Sequence, residues 1–274
     1  SVQQDMILLM HFDNDSLVGE NDTHVYDWSG NGNNGTVFVN NSDGSIRGAN
    51  STGKFGWAYN FDGDDYINFT PPISTWQTEI GVTISLWVYN FSNEQDGALL
   101  ELLDKTGGGN YANERRLRIS TSYYAPYDRV VGNAGRRYSN SEILVYSDSL
   151  DENWHMVTTT ITNTTGKLYI DGKLVSEDSG TPYDTINFEY MWVGHGESVY
   201  TGGAGSNYYN GTIDEVAIWN RSLTATEVWD IYSMSANRYY WMGNVSDGAA
   251  FDESDVTVME TLADQIAVAI ENAR

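Results

Sequence analysis

The chain has 274 residues, 40% of them hydrophobic and 13% aromatic, which suffices for one large β domain or two ordinary ones and excludes a disordered tail as a description of the whole. Its 38 acidic residues against 14 Lys and Arg give a formal net charge of −24, a field that repels nucleic-acid backbones and anionic lipid. The absence of cysteine excludes disulfide frameworks, thiol catalysis and thiolate metal sites. The longest uncharged apolar run, residues 6–10, is far short of the ~20 residues of a membrane span. The first residues show no leader pattern, so any export signal is expected to have been removed or never to have been present.

In chain order, apolar residues alternate with a period of two at residues 6–12, 36–39, 57–61, 66–69, 83–89, 98–103, 116–120, 142–146, 155–161, 167–170, 191–193 and 212–219. In 83–89, Ile84, Leu86 and Val88 fall on one face and Ser85, Trp87 and Tyr89 on the other, the pattern of a strand in a layered structure. The pairs Asn34-Gly35, Asp62-Gly63, Asp171-Gly172 and Asn210-Gly211 are turn formers that tolerate positive φ. Many short strands, 27 glycines and four prolines predict an all-β antiparallel sandwich. Thr224 and Glu227 then form a capping-box pattern followed by Val228, Ile231 and Tyr232, which predicts a short closing helix. Residues 233–250, with Tyr239, Tyr240 and Trp241, read as a linker or short hairpin. From Asp252 onward, Met259, Leu262, Ile266 and Ile270 contribute to an apolar stripe at helical spacing, which predicts an amphipathic C-terminal helix. The expected organisation is therefore 1–234 as the β domain and 235–274 as linker plus helix.

Eleven Asn-x-Ser/Thr sequons occur, at Asn14, Asn21, Asn34, Asn40, Asn50, Asn68, Asn90, Asn163, Asn210, Asn220 and Asn244. Two explanations fit: an exported, glycosylated surface protein, or an Asn/Ser/Thr-rich β protein that generates sequons by composition. With no cysteine, the first suits an archaeal or bacterial cell exterior.

Several stretches carry a family resemblance. Leu8 to Asp13 with Asp27-Trp-Ser-Gly-Asn-Gly-Asn-Asn-Gly-Thr36, the hairpin from Gly53 to Ile67, Trp154-His-Met-Val157 with Gly166-Lys-Leu-Tyr-Ile-Asp-Gly-Lys-Leu-Val175, and Asn210-Gly-Thr-Ile-Asp-Glu-Val-Ala-Ile-Trp219 occur in that order. Together with the Thr224 helix they resemble the laminin G-like jelly-roll domain of the concanavalin A-like lectin/glucanase superfamily, over about residues 5–234. The resemblance implies a jelly roll, and it leaves function open because that fold carries sugar binding, adhesion, enzymes and spacers. Residues 251–274 resemble the last helix of a GAF sensory domain, without room for its sheet or pocket.

Glycosidases of the superfamily place acidic residues at alternate positions of one strand, and no strand here has Glu-x-Asp-x-Glu. The nearest pairs, Asp13 with Asp15, Asp62 with Asp64 and Glu253 with Asp255, fall at a strand end, a turn and a helix start. The four histidines form no catalytic pattern, and His155 reads as a strand residue packed beneath the sheet. A non-enzyme is expected. For a structural calcium, Asp27, Ser29, Asn31 and Asn33 offer oxygens at alternate loop positions. The family resemblance adds Asp214 as a partner; the alternative for this loop is an Asx turn. The segment Asp62-Gly-Asp-Asp65 is a second such candidate. For a glycan, the Gly-rich loop with Tyr200, Tyr208 and Tyr209 has suitable composition, as do 105–111 and 122–127, although tyrosines in such loops also serve self-association.

Three functions are compatible with these features. The leading one is a non-catalytic extracellular or cell-surface interaction module that binds a glycan or surface protein. The second is a self-assembling subunit joined through the C-terminal helix, and the third is a glucanase-class enzyme.

Overall fold

The structure is a computed structural model that describes residues 5–39, 51–69, 76–77, 81–89, 97–104, 115–121, 129–136, 142–148, 150–180, 185–186, 188–197 and 207–242. The chain divides into two compact units, Ser1–Ser233 and Met234–Arg274. Asn40, Asn50, Asn90, Tyr200, Asn244 and the C-terminal stripe of Met259, Leu262, Ile266 and Ile270 lie outside the described residues.

The strands are β1 (Met6–Met10), β2 (His24–Val25), β3 (Gly35–Phe38), β4 (Ser51–Thr52), β5 (Trp57–Asp62), β6 (Tyr66–Phe69), β7 (Trp76–Gln77), β8 (Val82–Tyr89) and β9 (Ala98–Asp104). They continue with β10 (Arg115–Thr121), β11 (Val130–Arg136), β12 (Ile143–Tyr146), β13 (His155–Ile161), β14 (Thr165–Ile170), β15 (Lys173–Ser179), β16 (Thr185–Ile186), β17 (Tyr190–Val193) and β18 (Asn210–Trp219). The helix α1 (Ala225–Met242) follows. The first sheet runs β15-β14-β13-β8-β18-β5-β4, with β1 also paired to β18; the second runs β12-β11-β10-β9-β17-β6-β3-β2. The strand pairings are antiparallel. The sandwich expected from the period-two pattern forms because one face of each run is apolar and needs a second sheet to cover it. Ile84, Leu86, Val88, Val157 and Ile218 of the first sheet join Ile67, Leu100, Leu102, Leu117, Ile119 and Met191 of the second in one core. Each such fully buried large side chain is worth roughly 1.5–3 kcal/mol.

The strand β8 is buried on both faces. Its outer residue Trp87 meets Phe55, Tyr169, Trp219 and Val228 in a second apolar cluster under the start of α1. Tyr232 stacks on Trp87 at 5.9 Å, and Trp229 crosses the β14–β15 turn at Gly172. The helix starts where the capping box predicts. The Glu227 N–H donates to the Thr224 hydroxyl at 3.2 Å, and the Thr224 N–H donates to the Glu227 carboxylate at 2.9 Å. The two-pronged Arg221 pair, first, and the Thr224 N–H hold that carboxyl down at about 2.

Two elements differ from expectation. The helix α1 continues to Met242 through the segment read as linker or hairpin, since nothing from Ser233 to Met242 breaks a helix and the first stop signal is Gly243. The strand β1 ends at Met10, because Phe12 turns the chain at φ +58° while keeping its ring in the core.

Candidate functional site

With Val37, Ile67, Phe69, Met191 and Val193 directed into the core, pleating places Phe38, Tyr66, Asn68, Tyr190 and Trp192 on the outer face of the second sheet. Strand register aligns them. Thr36, Asn68, Trp192, Glu101, Arg118, Asn133 and Leu144 form one cross-strand row from β3 to β12, and Phe38 stands opposite Tyr66.

The rings make a connected series. Phe38 and Tyr66 stack at 4.8 Å with 5° between planes; His195 follows at 5.2 Å from Tyr66, Trp192 at 5.0 Å from His195, and Tyr190 stacks on Trp192 at 5.2 Å. Tyr208 lies 4.8 Å from His195. Phe38 and Tyr190 at the two ends are 43% and 40% exposed, whereas Trp192 between them is 8% exposed. Burial, then the neighbouring Tyr208, pushes the Tyr66 phenol up. Gly194 permits the turn that presents His195: its φ is +80°, and a Cβ there would meet the Phe61 ring at 2.3 Å.

Of the tyrosines expected from sequence, Tyr208 joins this face and Tyr209 does not. Tyr209 is 1% exposed with its ring in the core beside Phe61, as successive side chains of an extended chain point to opposite sides. The ring row itself escaped sequence reasoning. Its signal was an outward aromatic in each of residues 36–39, 66–69 and 190–193 (Phe38, Tyr66, and Tyr190 with Trp192), which becomes visible only once the three strands are placed side by side.

Beside the rings, Glu101 is fully buried with Arg116 at 3.7 Å and Arg118 at 3.6 Å, and its carboxylate also accepts the Glu197 N–H. Its cross-strand neighbours are Trp192 and Arg118.

The residues expected to hold calcium separate into two places. The Asp27 carboxylate accepts the N–H groups of Leu9, Ser29 and Asn33 at 3.1, 3.0 and 2.9 Å. The side-chain amides of Asn31 and Asn33 donate to the carbonyls of Met6 and Ile7. This loop therefore caps the edge of β1 with the polar atoms that were read as ligands, and the Asx alternative describes it. Asn34 belongs to the same arrangement, accepting the Asp27 N–H.

Asp214 lies elsewhere, at a bulge of β18 where Glu215 takes φ +52° and the strand exchanges β5 for β1 as its neighbour. The Asp214 carboxylate accepts the N–H groups of Phe55 and Glu215. Burial, then the charges of Glu215 and Asp13, pushes Asp214 well above the usual carboxylate range. Asp13 accepts the Trp57 N–H, and burial raises it too. A Cβ at Gly56 would meet the Asp13 carboxylate at 2.2 Å, so glycine there lets the loop close over the pair. Glu215 holds His11 at 2.9 Å. As a fit for a hard cation, half-buried Asp13 with buried Asp214 offers mutually repelling carboxylates, whereas Asp27, its oxygens taken by backbone N–H groups, does not fit. Asp62, Asp64 and Asp65 in the β5–β6 turn also bring carboxylate oxygens within 4.8 Å of one another.

His155 is on a strand as expected but not beneath the sheet. It is half-buried, with Nδ1 2.8 Å from Asp171 and Nε2 2.9 Å from Asp151, and the Asp171 bond, then the Asp151 bond, raises its pKa against the effect of burial. Among the described sequons, Asn14, Asn21, Asn34, Asn163 and Asn210 are exposed and Asn68 and Asn220 half-buried.

Residues 61–229 match the family model described as the concanavalin A-like lectin/glucanases superfamily. No curated protein matches the sequence. Among solved structures, the binding domain of Paraclostridial Mosquitocidal Protein 1 superposes with a TM-score of 0.58 at 16% identity, covering 86% of this chain and 54% of that one. The binding domain of botulinum neurotoxin DC in complex with SialylT gives 0.56 at 16% identity, covering 86% and 52%. This chain thus spans about half the length of both. Domain 4 of AbnA, a GH43 extracellular arabinanase from Geobacillus stearothermophilus in complex with arabinotriose, gives 0.52 at 19% identity, covering 83% and 98%. At such identities the likeness is one of fold.

Proposed function

We propose that this chain, which belongs to the concanavalin A-like lectin/glucanase superfamily, is a non-catalytic module that binds glycan on the outer face of its second sheet and works outside the cell. The observation that carries the reading is the row of rings from Phe38 to Tyr190, open at both ends. A sugar presents apolar C–H faces that rings cover and hydroxyls that a few fixed polar groups satisfy, and Thr36, Asn68 and Tyr208 stand among these rings. The neighbours bound to SialylT and arabinotriose support this use of the fold. The setting of Glu101 supports a non-catalytic role: it is fully buried between Arg116 and Arg118, where it balances their charge. The exposed sequons support an extracellular location. Asp13 and Asp214 are the residues that would hold a structural calcium, whose charge would offset their repulsion.

The test is a glycan-array screen of the intact chain, followed by titration of Phe38→Ala/Tyr190→Ala. We expect the double variant to lose at least tenfold in affinity with its melting temperature unchanged. Full binding by that variant overturns the assignment to this face.

A further inference from the structure

Resting on that reading, we infer that the ligand is an internal stretch of a neutral, linear polysaccharide and not a terminal or acidic sugar. The first observation is extent. From Phe38 to Tyr190 five rings touch in series, with neighbouring centroids 4.8 to 5.2 Å apart; the end pairs stack face to face, and the most open rings, Phe38 and Tyr190, stand at the two ends. A terminal-sugar site would concentrate its contacts in one closed pocket. Here the stacking surfaces lie on β3 and β17, with β6 between them, so one ligand must be several units long to touch both.

The second observation is charge. The chain carries −24, and the described strands that bear the rings, β3, β6 and β17, contain neither Lys nor Arg. In the same sheet, Arg116 and Arg118 of β10 are buried beside Glu101. A carboxylate-bearing sugar arriving here meets a repulsive field and no exposed cation on these strands to receive it.

The experiment titrates the intact chain, by calorimetry, with mono- to hexasaccharides of neutral linear polymers (arabinan, xylan, β-glucan, galactan) and with sialylated and uronate oligosaccharides of matched length. For one neutral series we expect affinity to rise at least tenfold from disaccharide to hexasaccharide and to be insensitive to salt, with matched acidic chains at least tenfold weaker. Phe38→Ala and Tyr190→Ala should each weaken hexasaccharide binding about tenfold, while at most one of them affects a disaccharide. Affinity that is flat with length, or tighter binding of an acidic chain, overturns this inference and leaves glycan binding standing. Absence of binding to every glycan overturns the parent reading and this inference with it.

Discussion

The two outer faces of the sandwich are both rich in aromatic residues and have opposite fates. On the first sheet Trp87, Tyr169 and Trp219 are sealed beneath α1 and the Phe55 loop; on the second, Phe38 and Tyr190 stand open at the ends of a ring row. Aromatic content therefore does not by itself mark a binding face, because the same side chains build core when an element covers them. The faces also treat buried charge differently. Glu101 in the second sheet has two arginines, whereas Asp214 in the first is surrounded by Asp13 and Glu215.

The largest contrast is in packing. Trp219→Ala should destabilise the fold by about 3–5 kcal/mol in urea unfolding, while Phe38→Ala should stay within about 0.5 kcal/mol of the parent chain. Equal losses from both would dissolve the distinction between the faces.

Charge sharpens it next, with opposite signs. Glu101→Gln removes the buried carboxylate that lies 3.7 Å from Arg116 and 3.6 Å from Arg118 and should cost about 3–5 kcal/mol. Asp214→Asn should instead raise the melting temperature of the cation-free chain. The native state holds the Asp214 proton above pH 3.8, where the unfolded chain has lost it, so this group makes stability fall as pH rises from there through its elevated native pKa. Saturating calcium at a hundredfold excess over Kd should add about 2.7 kcal/mol and suppress that slope. Chelation without effect on the parent chain would remove Asp13 and Asp214 as a cation site.

A smaller effect is expected where two carboxylates meet a cation at the end of the first sheet. Both ring nitrogens of His155 face carboxylates, so the imidazolium is the favoured form. Its raised pKa makes its contribution complete below its unfolded value of about 6.5 and lost as pH rises through the native one. His155→Gln should flatten stability across that window, and an unchanged profile would refute the assignment.

The smallest concerns the cover itself. Thr224→Ala removes the N-cap and should cost about 1 kcal/mol, with the Trp87 fluorescence environment disturbed and glycan binding on the opposite sheet unchanged.

Much of the fold was legible because it is written locally. Alternation within four to eight residues marks a strand, and Thr224 with Glu227 marks a helix start, since the atoms that satisfy each other lie three residues apart. The two-residue strands β2, β4, β7 and β16 are too short to show a period, and β11, with Gly132, Asn133 and Gly135, does not alternate as apolar and polar.

The site was legible only in fragments. Tyr208 stood out by residue type and was read with Tyr209, while Asp214 came only from the family resemblance, which paired it with Asp27. Amino-acid order alone determined which residues alternate, where the chain turns and where the helix begins, because those depend on neighbours along the backbone. Tertiary structure decided that Asp27 caps β1, that Asp214 meets Phe55 across 159 positions and Glu215 meets His11 across 204, and which aromatic face the helix covers. Those outcomes depend on strand register and on which element reaches a face first, and packing of the whole sandwich sets both.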